Sequence, residues 1–363
     1  MWPVVSRDLP PAASGVGGSN HAALTARVDT APGGVPKSPL GEPACGPGHI
    51  VRASVVIPTY NRSAKLARLL ACLRDQPAHI LAEVLVCDDG SPDETTAVAR
   101  SFAAQLPLVY LHQPDLGFRA GQARNLGLGR ATGDVIVFID DDLVVPPGFL
   151  EAHVAAHAAT RADRPSIALG FRHRTFEHLV GTPRWQDVIA GEPDDRCQVL
   201  GAGGERLGAD PAPWFYGYSC NLSASRLPPG FHFDEAFVGW GMEDLDFSYR
   251  LMRLGASFTV AAGGRALHLE DPAPRDPFRC EVRELPPSYD SYVRNAVYFL
   301  DKHAGDPVVE RLIRQDLRWY LRDPASGRWI KNGYENDVEA VLAECRRERQ
   351  LAPRPAAHLV EGE

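Results

Sequence analysis

Several things are missing from this chain of 363 residues. No block of Lys or Arg interrupts a formal net charge of -8, so nucleic acid, which is held by clustered cations, is not an expected partner. No segment approaches the roughly 20 consecutive apolar residues that a membrane-spanning helix needs, which leaves only peripheral membrane association. The seven cysteines are odd in number and scattered, with no Cys-x-x-Cys pair. That argues against a disulfide framework or a zinc site and predicts reduced thiols in a cytoplasmic protein, with Cys72 and Cys87 in the core. The N-terminus lacks a basic start followed by an apolar stretch, so it does not read as a secretory signal. Residues 1–50 are instead rich in Pro, Gly, Ala and Ser without apolar periodicity, the pattern of a disordered extension. There is no internal repeat.

What is present is a chain with 44% apolar residues, enough to bury a sizeable core in one large domain or two modest ones. From Ala53 strands alternate with helices, which predicts an α/β fold with a mostly parallel central sheet flanked by helices. Ser54 to Ile57 reads as a strand ended by Pro58. Leu66, Leu69, Leu70 and Leu73 then mark the buried face of a helix opening after Asn61-Arg62-Ser63. Glu83 to Cys87 reads as a second strand leading to Asp88-Asp89-Gly90, and Ser91-Pro92-Asp93-Glu94 as a capping box starting a helix. Leu108 to Leu111 is a third strand, Gly121 to Arg130 a short helix, and Asp134 to Ile139 a strand that delivers Asp140-Asp141-Asp142. A helix near Phe149 to Ala159, a strand at Ile167 to Gly170 and a long loop-rich stretch to Pro213 follow. Glu243 and Asp244 open a helix with Phe247, Leu251 and Leu254 on one face, ended by Gly255. A strand from Ser257 to Val260 leads through Gly263-Gly264 to His268. Tyr289 to Leu300 and Val308 to Leu321 read as C-terminal helices ahead of a polar, frayed tail.

Three clusters carry chemistry. Adjacent carboxylates after an apolar strand repel one another unless a cation is present, and hard oxygen donors favour Mg2+ or Mn2+ over zinc; the plain alternative is a solvated turn. Asp88-Asp89-Gly90 is also turn chemistry, and its functional alternative is a carboxylate accepting from a ligand N–H. Acids at a helix start suit the macrodipole, yet Trp240 and Gly241 beside Glu243 and Asp244 also suit a sugar ring whose hydroxyl is to be deprotonated. His268 could supply a metal nitrogen.

Ser54-Val55-Val56-Ile57-Pro58-Thr59-Tyr60-Asn61, Asp88-Asp89-Gly90-Ser91, Ala123-Arg124-Asn125-Leu126-Gly127, Asp140-Asp141-Asp142 and Gly239-Trp240-Gly241-Met242-Glu243-Asp244 occur in the order found in family-two glycosyltransferases. Over about residues 53–275 the chain resembles that family's inverting members, with the type-A, Rossmann-like nucleotide-diphospho-sugar transferase fold. Asp115 to Asn125, the Trp-Gly-x-Glu-Asp helix and His268 resemble bacterial chondroitin-polymerase-type domains and the C-terminal module of β-galactosyltransferases. The resemblance implies that Pro58, Tyr60, Asp89 and Asp88 bind the nucleotide base and that Arg124 reaches the nucleotide or its diphosphate. Asp140 and Asp142 form the Asp-x-Asp motif with Asp141 between them on the donor side, and the metal is held by Asp142, Asp140 and His268. Asp244 falls at the catalytic base, Glu243 holds the sugar or acceptor, and Trp240, Gly241 and Asn221 line the acceptor site. The implied division is a catalytic domain over 51–275, with its nucleotide-sugar half at 51–160 and its acceptor half at 161–275, then a helical region over 276–363. Met242 departs from the glycine common in the relatives, and the loop from Arg172 to Pro213 matches nothing.

The expected activity is metal-dependent hexosyl transfer, with inversion, from a UDP-sugar to a carbohydrate or other hydroxyl acceptor, in glycan or glycoconjugate biosynthesis. Two rivals stand beside it: a non-catalytic nucleotide-sugar or carbohydrate-binding protein, and a phosphatase with Asp140 as nucleophile.

Overall fold

The structure, a computed structural model, describes residues 50–158, 160, 163–176, 192–193, 195–201, 204–270 and 288–351. The expectations for the N-terminal extension, for part of the 172–213 loop and for residues 352–363 lie outside the described residues. The chain runs β1 (Ala53–Thr59), α1 (Ser63–Arg74), β2 (Leu81–Asp88), α2 (Thr95–Phe102), β3 (Leu108–His112), α3 (Ala120–Leu128), β4 (Val135–Ile139), β5 (Leu143–Val144) and α4 (Phe149–Ala158). It continues through β6 (Ser166–Leu169), β7 (Arg172–Phe176), β8 (Glu192–Pro193), α5 (Asp195–Leu200), β9 (Asn221–Ser225), α6 (Glu243–Arg253), β10 (Ser257–Val260) and β11 (Ala266–Glu270). The last elements are α7 (Ser288–Lys302), α8 (Pro307–Leu317), β12 (Tyr320–Arg322), β13 (Trp329–Lys331) and α9 (Val338–Leu351).

A seven-stranded sheet in the order β10-β6-β9-β4-β1-β2-β3 forms the centre. Every neighbouring pair is parallel except those of β9, which runs antiparallel to β4 and β6. The fold is therefore the expected mixed α/β architecture. Its central strands read as unbroken apolar runs because both faces are covered. Val55, Ile57, Val84, Val86 and Val137 pack against the α1 leucines on one face. Val56, Leu85, Cys87 and Phe138 pack on the other against α3 and against Phe247 and Leu251 of α6. There α3 sits so close that a Cβ on Gly127 would lie 2.6 Å from Val56 and 2.9 Å from the Cys87 sulfur. A second sheet, β5-β11-β7-β8, forms beyond the end of β4. The C-terminal helices build a third apolar cluster on the opposite side of α6, around Met242, Leu245 and Tyr249.

Several local expectations change. β1 continues through Pro58 to Thr59, because its ladder with β4 stops at Val56 and no strand on that flank needs the missing N–H. The capping box does not form: Ser91 accepts from the Asn61 N–H and Asp93 from the Ser63 N–H, so these side chains fasten the start of α1. α2 begins later, at Thr95. Leu254 is exposed rather than on the buried face of α6. Finally, α8 stops at Leu317, a β12–β13 hairpin follows, and α9 runs to Leu351, into the start of the last twenty or so residues read as tail. The five cysteines among the described residues are free, with Cys87 buried and Cys72 partly so. No described helix is long and apolar enough to cross a membrane.

Behind the sheet, His153 and His157, one turn apart on α4, are buried. The Ser223 hydroxyl on β9 bridges them, at 2.9 Å from His153 Nδ1 and 2.8 Å from His157 Nε2. Ser166 completes His157 at 2.7 Å and Asn221 completes His153 at 3.0 Å. Burial favours the neutral rings and pushes their pKa values down to about 4 for His153 and about 3 for His157, from 6.5. Unfolded histidines therefore bind protons that the folded ones refuse, so stability is complete above pH 6.5 and falls as the pH drops toward the folded values. At pH 5 the expected loss from the pair is roughly 4 kcal/mol. Urea midpoints at pH 7 and pH 5 measure it. A His157→Gln variant with an unchanged acid slope would move the effect to other groups.

Candidate active site

The three acids after β4 separate once the chain turns into β5. Asp140 receives Arg124 Nη2 at 3.0 Å and remains partly exposed. Asp141 is buried, accepting from the Thr59 hydroxyl at 2.7 Å and from Arg62 Nη1 at 3.3 Å. Burial, with Asp142 beside it, pushes its carboxyl up to about 7. β11 pairs antiparallel with β5, setting Leu143 opposite His268, and the Leu269 N–H bonds the Asp142 carbonyl at 3.0 Å. That pairing brings His268 Nε2 to 3.3 Å from Asp142 Oδ1. Burial opposes the Asp142 charge, but His268, Arg62 and Lys65 together hold its carboxyl below the usual range. Asp142 Oδ1 is buried without a hydrogen bond.

A cleft of about 300 Å³ opens along the C-terminal ends of β1, β2 and β4. Such edges are where open α/β sheets take ligands. Pro58, Tyr60, Asp89, Arg124, Asp140 and Asp141 line it together with Arg62, Asp115 and Phe118, whereas Asp142, His268, Glu243 and Asp244 lie outside its lining. Asp89 accepts from Gln113 Nε2 at 2.7 Å and from the Arg119 N–H at 2.8 Å, while Tyr60 donates to Asp115 at 3.0 Å. Asp88 does not face the cleft. It is fully buried, with one oxygen taking the Ser91 N–H at 2.8 Å and the other the Tyr110 hydroxyl, so its place is structural.

Arg124, buried on α3, joins the two halves of the site. Nη2 holds Asp140, and Nη1 reaches Glu243 at the start of α6, 3.1 Å away. Asn125 beside it clasps both the N–H and the carbonyl of Phe233, at 2.8 and 2.9 Å. Glu243 is buried, its second oxygen has no hydrogen bond, and burial together with Asp244 raises its pKa. The next carboxylate, Asp244, accepts from the Leu245 N–H at 2.8 Å and from the Ser219 N–H at 3.3 Å, and burial raises its pKa as well.

The loop before these acids is shaped by α7. Trp240 is exposed and packs on Tyr292 with ring centroids 5.0 Å apart. Its N–H bonds Ser291 at 3.0 Å, and Asn295 donates to the Gly241 carbonyl at 2.9 Å. Gly241 has φ +101, and a Cβ there would lie 2.6 Å from the Tyr292 ring. Met242 takes φ +75, a left-handed backbone that explains why glycine suits this position, while its side chain fills the cluster under α7. Asn221 must be corrected. Its side chain is buried and spent on His153 and on the carbonyls of Phe171 and Gly264, so it does not line an acceptor site.

Residues that motif reading missed are Arg62, Ser291, Tyr292 and Asn295. The α7 residues lie in a helix whose pattern signals only packing. A larger cavity of about 620 Å³ lies at the far end of α6 near Tyr249, Arg250 and Arg253. Its arginines are paired with Asp246 and Asp306 and no motif residue lines it, so the smaller cleft is the candidate site.

Residues 54–190 match the model of glycosyl transferase family 2. The chain thus carries a family-two glycosyltransferase domain, on the part of the fold that holds the cleft. It is 33% identical over 228 residues to a validoxylamine A glucosyltransferase of Streptomyces hygroscopicus subsp. jinggangensis (strain 5008), covering 59% of this chain and 54% of that protein. It is 30% identical over 289 residues to a chondroitin synthase of Escherichia coli, covering 74% of this chain and 39% of that protein. The chain therefore spans about half or less of these relatives. Among solved structures, that of S. aureus TarS 1-349 aligns with a TM-score of 0.48 at 18% identity, over 74% of this chain and 71% of that one.

Proposed function

We propose that this protein transfers a hexosyl group from a nucleoside diphosphate donor, a UDP-sugar, to a hydroxyl of a carbohydrate or similar acceptor, with inversion and with Mg2+ or Mn2+. The observation that carries this reading is the Arg124 guanidinium, bonded at once to Asp140 in the cleft and to Glu243 beside Asp244. One buried side chain thereby joins the cleft at the sheet edge to the carboxylates that open α6.

Among the described residues no three acidic, imidazole or thiolate groups are gathered as a ready ion cage. Asp142, whose buried Oδ1 makes no hydrogen bond, nonetheless fits an ion of the magnesium type, commonly held by one or two carboxylates plus substrate phosphates and water, with His268 Nε2 3.3 Å from that oxygen as a nitrogen donor beside it. When bound, it would supply neutralising charge to the departing diphosphate. Tyr60 and Asp89 offer a ring face and a carboxylate to the base. Trp240, on its Tyr292 support, offers an apolar face to a sugar ring. Asp244 is fixed by two backbone N–H groups and keeps lone pairs to take the acceptor proton. Burial makes it a stronger base than a surface carboxylate. Attack from the Asp244 side, opposite the diphosphate, is a single displacement and inverts the anomeric centre.

The test is nucleotide release across a panel of nucleoside diphosphate sugars, with Mn2+, Mg2+ and EDTA compared. Release from a UDP-sugar that needs the ion is expected, and Asp142→Ala should lower it at least about 100-fold. A panel silent with both ions would favour the non-catalytic carbohydrate-binding reading. The family match sets aside the phosphatase.

A further inference from the structure

The acids after β4 already have a positive charge against them. Arg62 Nη1 lies 2.9 Å from Asp142 Oδ2 and 3.3 Å from Asp141 Oδ1. Both carboxylates are buried, whereas the Arg62 side chain, on the lining of the cleft, is 46% exposed. Buried carboxylates need a partner cation, and this arginine provides one from the solvent side. Its backbone is anchored on either side, through the Asn61 N–H on Ser91 and the Ser63 N–H on Asp93. Arg62 itself lies outside the helix, at φ -138 and ψ 39. The main chain is thus fixed on either side of a side chain that is half exposed. Asp142 meanwhile presents its other oxygen, Oδ1, toward His268 without a hydrogen bond.

We propose that Arg62 is a displaceable internal counter-cation: it neutralises Asp141 and Asp142 until a divalent ion arrives, and the ion gains Asp142 by driving the guanidinium off. This rests on the proposed reading of the cleft as a metal and nucleotide site. Two cations on one carboxylate repel each other, so the arginine lowers the affinity of the free protein for the ion. A nucleoside diphosphate offers the released guanidinium a new anion in the same cleft, so ion and nucleotide favour each other's binding.

The test is calorimetric titration of the full chain with MnCl2 in the absence of nucleotide. Arg62→Gln should bind Mn2+ roughly tenfold more tightly than the wild type, and Arg62→Lys, which keeps the charge, should stay near wild type. An unchanged or weaker affinity in Arg62→Gln overturns the proposal, because Arg62 is then a brace for the ion site rather than its competitor. In the wild type, Mg2+ should also speed solvent exchange of the Arg62 guanidinium protons. Protons still protected at saturating Mg2+ overturn it even if the glutamine variant does not fold. If wild type and variants alike fail to bind Mn2+, the metal reading of the cleft falls and this inference with it.

Discussion

Replacing Asp244 with Asn should lower sugar transfer about 10²–10⁴-fold, the range lost when a positioned general base is removed, while nucleotide binding stays near wild type. The separation follows from the geometry. Asp244 sits at the first turn of α6, held by the Ser219 and Leu245 N–H groups, and is not among the residues lining the nucleotide cleft. An amide has one acceptor oxygen where the carboxylate has two, so one of those N–H groups meets an NH2 instead, at a stability cost of about 1–3 kcal/mol. Thermal melts beside the kinetics separate that cost from the chemical one. The wild-type rate should also fall on the acid side as Asp244 is protonated, at a pH above that of an ordinary aspartate because burial raises its carboxyl. In Asp244→Asn the residual rate should lose that limb. Full transfer by the asparagine enzyme would end the assignment of Asp244 as base.

Removing the guanidinium of Arg124 should be the most damaging single change to stability in the site. Arg124→Met keeps the volume but leaves Glu243 buried without its donor and Asp140 without its partner, and breaking a buried ion pair in this way costs about 3–5 kcal/mol. Arg124→Lys should recover little, since one ammonium cannot span two acceptors as the planar guanidinium does. The sign with pH is fixed. Glu243, already raised by burial and by Asp244, rises further without Arg124 and escapes the penalty by taking a proton. The difference from wild type in urea unfolding should therefore be larger at pH 8 than at pH 5.5. A methionine variant as stable as wild type at both pH values would show that the bridge carries no stability.

Much of this site was legible from local pattern. The acids after β2 and β4 and those that open α6 follow strand ends and a helix start that periodicity marks, whereas Arg124 on α3 came only with the family resemblance. Asn221 misled because a polar residue at a strand start looks the same whether it faces a ligand or a buried histidine, and only the packing of α4 on β9 decides. Asp88 misled for a related reason, since Tyr110 on the neighbouring strand takes its outer oxygen. Arg62 gave no signal, because a charged residue before a helix is ordinary surface until the acids are folded against it.

The sequence by itself determined the alternation of strands and helices, the faces they bury and the placing of acids at sheet edges. Those depend on residues a few positions apart, where periodicity and turn chemistry act. The family resemblance grouped His268 with Asp142, but only the tertiary structure decided that the β5–β11 pairing is what brings them together, that Arg124 ties Asp140 to Glu243, and that α7 props the Trp240 loop. Those contacts join segments far apart in the chain, and which donor finds which acceptor is settled by how whole elements pack, a property no local window contains.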